Sequence, residues 1–171
     1  MNVLKTERLA LIPANLELVT AELRDRAAFA RLLSATVPPN WPPESLADAL
    51  PLFVSWLQAD PHNAGWYGWY AVADEVDDQP LVLVASCGFK GPPREGTVEI
   101  GYSVLAQFER RGFASEMSSA LVAWALTQPS VYSVVAETEW ANPASVRVLE
   151  KIGFRRVQRA GQGEGARFQF P

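Results

Sequence analysis

Residues 96–139 most limit how this chain can fold. There "GTVEIGYSV" and "SVYSVVAETE" flank the long helix-forming run "ASEMSSALVAWALTQ". The two outer runs are β-branched and strand-like, and a helix of that length between them suits a parallel crossover. A ligand crevice is then expected beyond the C-terminal ends of both strands.

The remaining chain is arranged around that unit. "ERLALIP" alternates and stops at Pro13, which predicts a first strand. "NLELVTAELRDRAAFARLL" has helical spacing, with Asn15 able to cap it and Asp25 able to start a second segment. The four prolines of "VPPNWPP" exclude a helix, and "ESLADALPLFVSWLQAD" returns to one, with Pro51 bending it or starting its main part. "WYGWYAVA", "PLVLVASCGFK" and "GTVEIGYSV" are separated by turn-forming "DEVDDQ" and "GPPREG" and predict an antiparallel meander. After residue 139, "PASVRVLEKI" predicts a helix stopped at Gly153, followed by strands over "FRRVQRA" and "ARFQF". The order β-α-α-α-β-β-β-α-β-α-β-β is a mixed α/β layout, with about seven strands in a central sheet covered by helices. No linker divides the chain, so residues 1–171 are expected to form one domain.

Composition narrows the function classes. Residues 1–140 carry 9 basic and 17 acidic side chains, whereas residues 141–171 carry 6 and 2. An acidic bulk argues against nonspecific nucleic-acid binding, which depends on neutralising phosphates. No run reaches the length of a membrane span, and the charged start "MNVLKTERLALIP" is unlike a signal peptide, so a cytoplasmic protein without membrane contact is expected. Cys87 is the only cysteine and reads as a small buried hydrophobe. No Cys/His/carboxylate cluster has metal-ligand spacing, so no metal is expected. His62 is the only histidine and reads as a surface residue.

The start of the long helix, "FERRGFAS", raises a chemical question. A helix beginning at Gly112 leaves backbone N–H groups without partners and places partial positive charge there. Gly112 has no Cβ, Ala114 and Ser115 are small, and Arg110 and Arg111 add cationic forks suited to phosphate. These features suit a pyrophosphate seat, and equally a plain capped helix. A second stretch, "NPASVRVLEKIGF", reads locally as an Asn-capped, Pro-started amphipathic helix.

Together the two stretches resemble the GNAT superfamily of acyl-CoA-dependent N-acyltransferases. "EIGYSVLAQFERRGFASEMSSAL" is similar to that family's strand, pyrophosphate loop and helix, and "ANPASVRVLEKIGF" to its second signature. "LKTERLALIP" resembles the first strand of the branch that includes ribosomal-protein N-terminal acetyltransferases. The resemblance implies a GNAT-like sheet, mixed but mostly antiparallel, whose strands splay at the acyl-CoA site. It implies acetyl-CoA as cosubstrate, held by Tyr102, Ser103, Val104, Arg110, Arg111, Gly112, Phe113, Ala114, Ser115 and Asn142. Glu109 departs from the family's Gln or Arg and sets an acid beside a di-anion. Leu149 stands where many members carry a general-acid Tyr, and in the branch this chain resembles, the serine three residues after the Asn, here Ser145, is the candidate for that role.

Acyl transfer to an amine needs a neutral amine, a polarised carbonyl and a protonated or stabilised thiolate. Glu99, Glu137 and Glu139 are the candidate bases, with Glu137 also placed near the acceptor. Among the tryptophans, Trp140 is expected to face the acceptor, a peptide N-terminal α-amine or a small amine. A non-catalytic acyl-CoA-binding module is the alternative, motivated by Leu149 and Glu109. A monomer and a homodimer both fit the sequence.

Overall fold

In the computed structural model, which describes residues 2–157 and 165–171, eight strands form one open sheet. They are β1 (Leu4–Lys5), β2 (Leu9–Pro13), β3 (Gly68–Val76), β4 (Gln79–Phe89), β5 (Thr97–Val104), β6 (Ser133–Glu139), β7 (Arg155–Val157) and β8 (Gly165–Phe170). The order across the sheet is β1-β2-β3-β4-β5-β6-β8-β7. Every neighbouring pair is antiparallel except β5–β6, the parallel crossover expected from the sequence. The strand beyond the expected seven is two-residue β1, too short to leave a periodic signal. Of the expected strand "FRRVQRA", residues 158–160 lie outside the described residues.

Six helices cover the sheet: α1 (Leu16–Arg24), α2 (Arg26–Leu33), α3 (Glu44–Ala47), α4 (Leu50–Ala59), α5 (Phe113–Leu126) and α6 (Pro143–Lys151). The caps are those the sequence suggested. Asn15 accepts from the Leu18 amide, Asp25 from Ala28 and Asn142 from Ser145. Pro51 starts α4 rather than bending it. The "VPPNWPP" loop is held from inside, because Arg26 donates to the carbonyls of Val37, Pro38 and Trp41. His62 is exposed in a 3₁₀ turn, Pro61–Trp66.

Strand alternation sends neighbouring residues to opposite helical layers. The Trp69 ring meets Trp124 of α5 at 5.2 Å, whereas the Tyr70 ring meets Phe29 of α2 at 5.0 Å. Met117 and Leu121 of α5 are fully buried on the Trp69 side, and each such side chain contributes roughly 1.5–3 kcal/mol. Cys87 is buried and unpaired, and burial pushes its thiol well above the usual range.

One irregularity breaks the sheet. β5 and β6 pair only over Thr97–Glu99 and Ser133–Val135. Beyond that point β5 runs on along β4 to Val104, while β6 runs on along β8 to Glu139. The sheet therefore opens between its two central strands.

Candidate functional site

Two left-handed residues shape the loop that enters α5. Gly112 has φ +88°, in the left-handed region that favours glycine, and Arg110 reaches φ +61° without that excuse. No side chain caps α5. Its first intrahelical bond runs from the Glu116 amide to the Gly112 carbonyl, so the amides of Phe113, Ala114 and Ser115 precede the ladder. A helix of 14 residues ends its dipole there. These are the attributes of an anion seat, and a phosphate fits them.

The seat is braced from the turn between β1 and β2. Arg8 donates through Nε to Glu116 Oε2 at 2.8 Å and through Nη1 to the Arg111 carbonyl at 3.0 Å. Its guanidinium lies 4.8 Å from the centroid of the buried Phe113 ring. The Thr6 hydroxyl and the Arg8 amide both donate to Glu116 Oε1, at 2.6 and 2.9 Å. Burial works to raise the Glu116 carboxyl, but these donors prevail and hold it below the usual range. A Cβ on Gly112 would stand 3.2 Å from Arg8 Nη2.

The two loop arginines differ. Arg110 is exposed and makes no ion pair among the described residues. The Arg111 guanidinium forms a two-pronged pair with Asp77 at 2.7 and 3.1 Å. The β3–β4 turn carries Asp77 to that position, and the bond holds its carboxyl below the usual range. Both partners are largely exposed, so water and salt screen the pair and an anion can compete for Arg111. Glu109 is exposed and also makes no ion pair among the described residues.

At the opening between β5 and β6, a phenol meets a hydroxyl. Tyr102 Oη lies 3.0 Å from Ser145 Oγ and donates to the Ser145 carbonyl at 3.1 Å. Burial pushes the Tyr102 hydroxyl above its ordinary pKa against the opposing effect of the Ser145 bond, so it stays protonated at neutral pH. The Asn142 carbonyl oxygen accepts from the Ser145 amide at 3.0 Å, which leaves its NH2 group to donate elsewhere. Leu149, one turn further along α6, is only 1% exposed and belongs to the core.

On the opposite face of β5 lies a cavity of about 620 Å³ between the sheet, α3 and α4. Its floor is two rows of paired residues across β3, β4 and β5. One row is Gly68–Gly88–Gly101 and the next is Tyr70–Ser86–Ser103. Phe53, Trp56 and Tyr67 form a wall, with Trp56 stacked on Tyr67 at 5.1 Å and Phe53 at 6.3 Å from the same ring. Glu99 lies on this face of β5, two residues from Gly101, and is ion-paired with the cavity residue Lys90.

Two expected acceptor residues lie elsewhere. Trp140 is 49% exposed and carries the Arg156 guanidinium 4.2 Å above its ring, outside the cavity lining. Glu137 pairs with Arg167 at 3.4 Å along β6–β8, because the strand register sets those two residues side by side. Glu139 is exposed at the end of β6. Val104 packs towards α5 with the core, whereas Ser103 lines the cavity.

Three groups escaped the sequence reading. The Thr6–Arg8–Glu116 brace had a faint signal, an acid in the first turn of a helix. The Phe53 and Trp56 wall had another, aromatics three residues apart on one helix. The glycine row had none, since pairing register is invisible in one strand. A fourth feature is Glu22 of α1, whose two oxygens accept from Trp41 Nε1 at 2.6 Å and Tyr70 Oη at 2.5 Å. Burial pushes its carboxyl up to about 7.

Comparison with known proteins identifies the family and the fold. Residues 15–155 match the family described as an acetyltransferase (GNAT) domain. An uncharacterized N-acetyltransferase, YjdG of Bacillus subtilis, is 29% identical over 155 residues, which is 90% of each chain. The fold is shared with an acetyltransferase from Agrobacterium tumefaciens (TM-score 0.64, 18% identity, 100% of this chain and 95% of that one). It is also shared with RimL, a ribosomal L7/L12 alpha-N-protein acetyltransferase in complex with coenzyme A (TM-score 0.61, 16% identity, 98% and 97%).

Proposed function

The chain belongs to the GNAT acetyltransferase family, and from that membership we propose that it moves an acetyl group from acetyl-CoA to a primary amine, both bound at once. One observation carries this reading: β5 and β6 part immediately beside an uncapped helix start. The first-turn amides of α5 with Gly112, Phe113, Ala114 and Ser115 would hold the pyrophosphate, helped by Arg110 and by Arg111 once it leaves Asp77. Backbone amides over Tyr102–Val104 and the Asn142 NH2 group would hold the pantetheine.

Acetyl-CoA supplies a thioester carbonyl and a thiolate leaving group. Of the three candidate carboxylates, Glu99 shares its strand face with the cavity floor, so it takes the proton that the amine loses as its nitrogen bonds the carbonyl carbon. The Tyr102–Ser145 pair gives a proton to the sulfur as the C–S bond breaks, in place of the Tyr that Leu149 displaces. Residues 1–171 act as one domain. The buried lone thiol suits the reducing cytoplasm, as monomer or homodimer. Among the described residues, no helix is long and apolar enough to cross a membrane.

Titration calorimetry with acetyl-CoA, followed by thiol release across an amine panel, tests the reading. Saturable heat and amine-dependent release of CoA are expected. Absence of heat at millimolar acetyl-CoA rejects it.

A further inference from the structure

The cavity beside the opening constrains what the amine can be attached to. Among its described lining residues none is acidic, and the one charged group, Lys90, is a cation already paired with Glu99. A polycationic acceptor would have to leave water for a wall of Phe53, Trp56 and Tyr67 with no carboxylate to receive its further charges. An apolar ring gains on the same surface, by burial and by edge or offset contact with the aromatic wall.

The floor matches that shape. Gly68, Gly88 and Gly101 lie in register across three strands, but the Tyr67 carbonyl sits where a Gly88 Cβ would be and Ala14 lies 3.2 Å from a Cβ on Gly68, so of the three only Gly101 presents uncovered backbone. Phe53 overhangs one end, 3.7 Å from where a Gly68 Cβ would be. At the other end a Cβ on Gly101 would meet nothing within 4 Å, so that position faces open space. The result is a slot with an aromatic side, closed over Gly68 and Gly88 and open at Gly101, on the β5 edge where the strands part. A volume of about 620 Å³ holds a molecule with one or two rings. On the next floor row the Tyr70 hydroxyl is taken up by Glu22, which leaves Ser86 and Ser103 as polar groups towards the β5 edge, close to where an amine entering from the slot would meet the opening.

We propose that the acceptor is a primary amine on a short chain attached to an apolar, ring-bearing body, the arylalkylamine class, and that Gly101 sets this specificity by leaving the slot open. The proposal rests on the acetyl-transfer reading above and adds the substrate class to it.

The test compares kcat/KM for 2-phenylethylamine and tryptamine with that for spermidine and for a peptide with an N-terminal serine, using the full chain and saturating acetyl-CoA. The arylalkylamines are expected to exceed both others by at least tenfold. Gly101→Leu is expected to reduce arylalkylamine kcat/KM at least tenfold, with acetyl-CoA affinity within twofold of wild type and an unchanged melting temperature. Preference for spermidine or the peptide overturns the substrate class and leaves acetyl transfer standing. Full arylalkylamine activity in Gly101→Leu overturns the role of the slot. If no amine releases CoA, the acetyl-transfer reading fails and takes this one with it.

Discussion

At the scale of single residues, the proposed chemistry turns on a hydroxyl pair that two distant parts of the chain assemble. Ser145 was legible as a candidate because it stands in the first turn of α6, three residues after an Asn and one turn before the anomalous Leu149. Its partner Tyr102 was legible only as a strand end, since nothing in one sequence says that its ring crosses to α6. With a partly buried phenol 3.0 Å from Ser145 Oγ, the proposed protonation of sulfur would have a defined source. Tyr102→Phe removes that source and keeps the ring packing. It is expected to lower kcat by roughly tenfold to a thousandfold, in the range for losing a general acid, with little change in acetyl-CoA affinity. Ser145→Ala is expected to lower kcat in the same sense, by less than Tyr102→Phe if the phenol is the direct donor. Steady-state kinetics and a binding titration of each variant decide; an unchanged kcat in both removes the pair from the mechanism.

At the scale of elements, the start of α5 explains why a motif of glycine and arginines can be read without a structure. A left-handed residue, three unladdered amides and the helix dipole are local consequences of "RRGFAS", so the sequence announces them. What holds that start in place is not local. Glu116 is fixed by Thr6 and Arg8, over a hundred residues earlier in the chain, and Arg111 is steered by Asp77 in another hairpin. Long-range pairs of this kind leave no periodicity to detect. Gly112→Glu would put a carboxylate at the anion seat, strain a residue at φ +88° and crowd Arg8. It is expected to weaken acetyl-CoA binding at least a hundredfold while the protein still melts cooperatively. Calorimetry beside a thermal melt checks both halves, and undiminished affinity in a folded variant would place the phosphates elsewhere.

At the scale of the whole molecule, the layer of α1 and α2 is joined to the sheet through a buried acid. Glu22 has a pKa pushed up to about 7 by burial, against 4.5 when unhindered, with Tyr70 and Trp41 donating to it. The folded protein therefore holds this proton more tightly than the unfolded chain. The resulting stabilisation is complete below about pH 4.5 and is lost as pH rises to about 7, a change of about 3 kcal/mol. Urea unfolding should show wild type less stable at pH 8 than at pH 5 by about that amount, and Glu22→Gln should flatten the difference. An equally steep pH dependence in the variant would assign it to other groups. The fold class, the crossover and most helix caps were legible because they follow from periodicity and capping chemistry; Glu22 was not, because its environment is made by a loop and a strand that meet only in three dimensions.

The parting of β5 from β6 has one more consequence. Every second amide of Ile100–Val104 is turned away from β4, towards a neighbour that has already left. Seen from those amides, the sheet is one strand short in its middle, an edge enclosed within the molecule. Strand edges are completed by extended chains that offer amide groups at regular intervals. The pantetheine arm is such a chain, with two amide links along its length. On this view the cosubstrate would enter as a borrowed strand, carrying the sheet on across the gap that opens beyond the β5–β6 pairing.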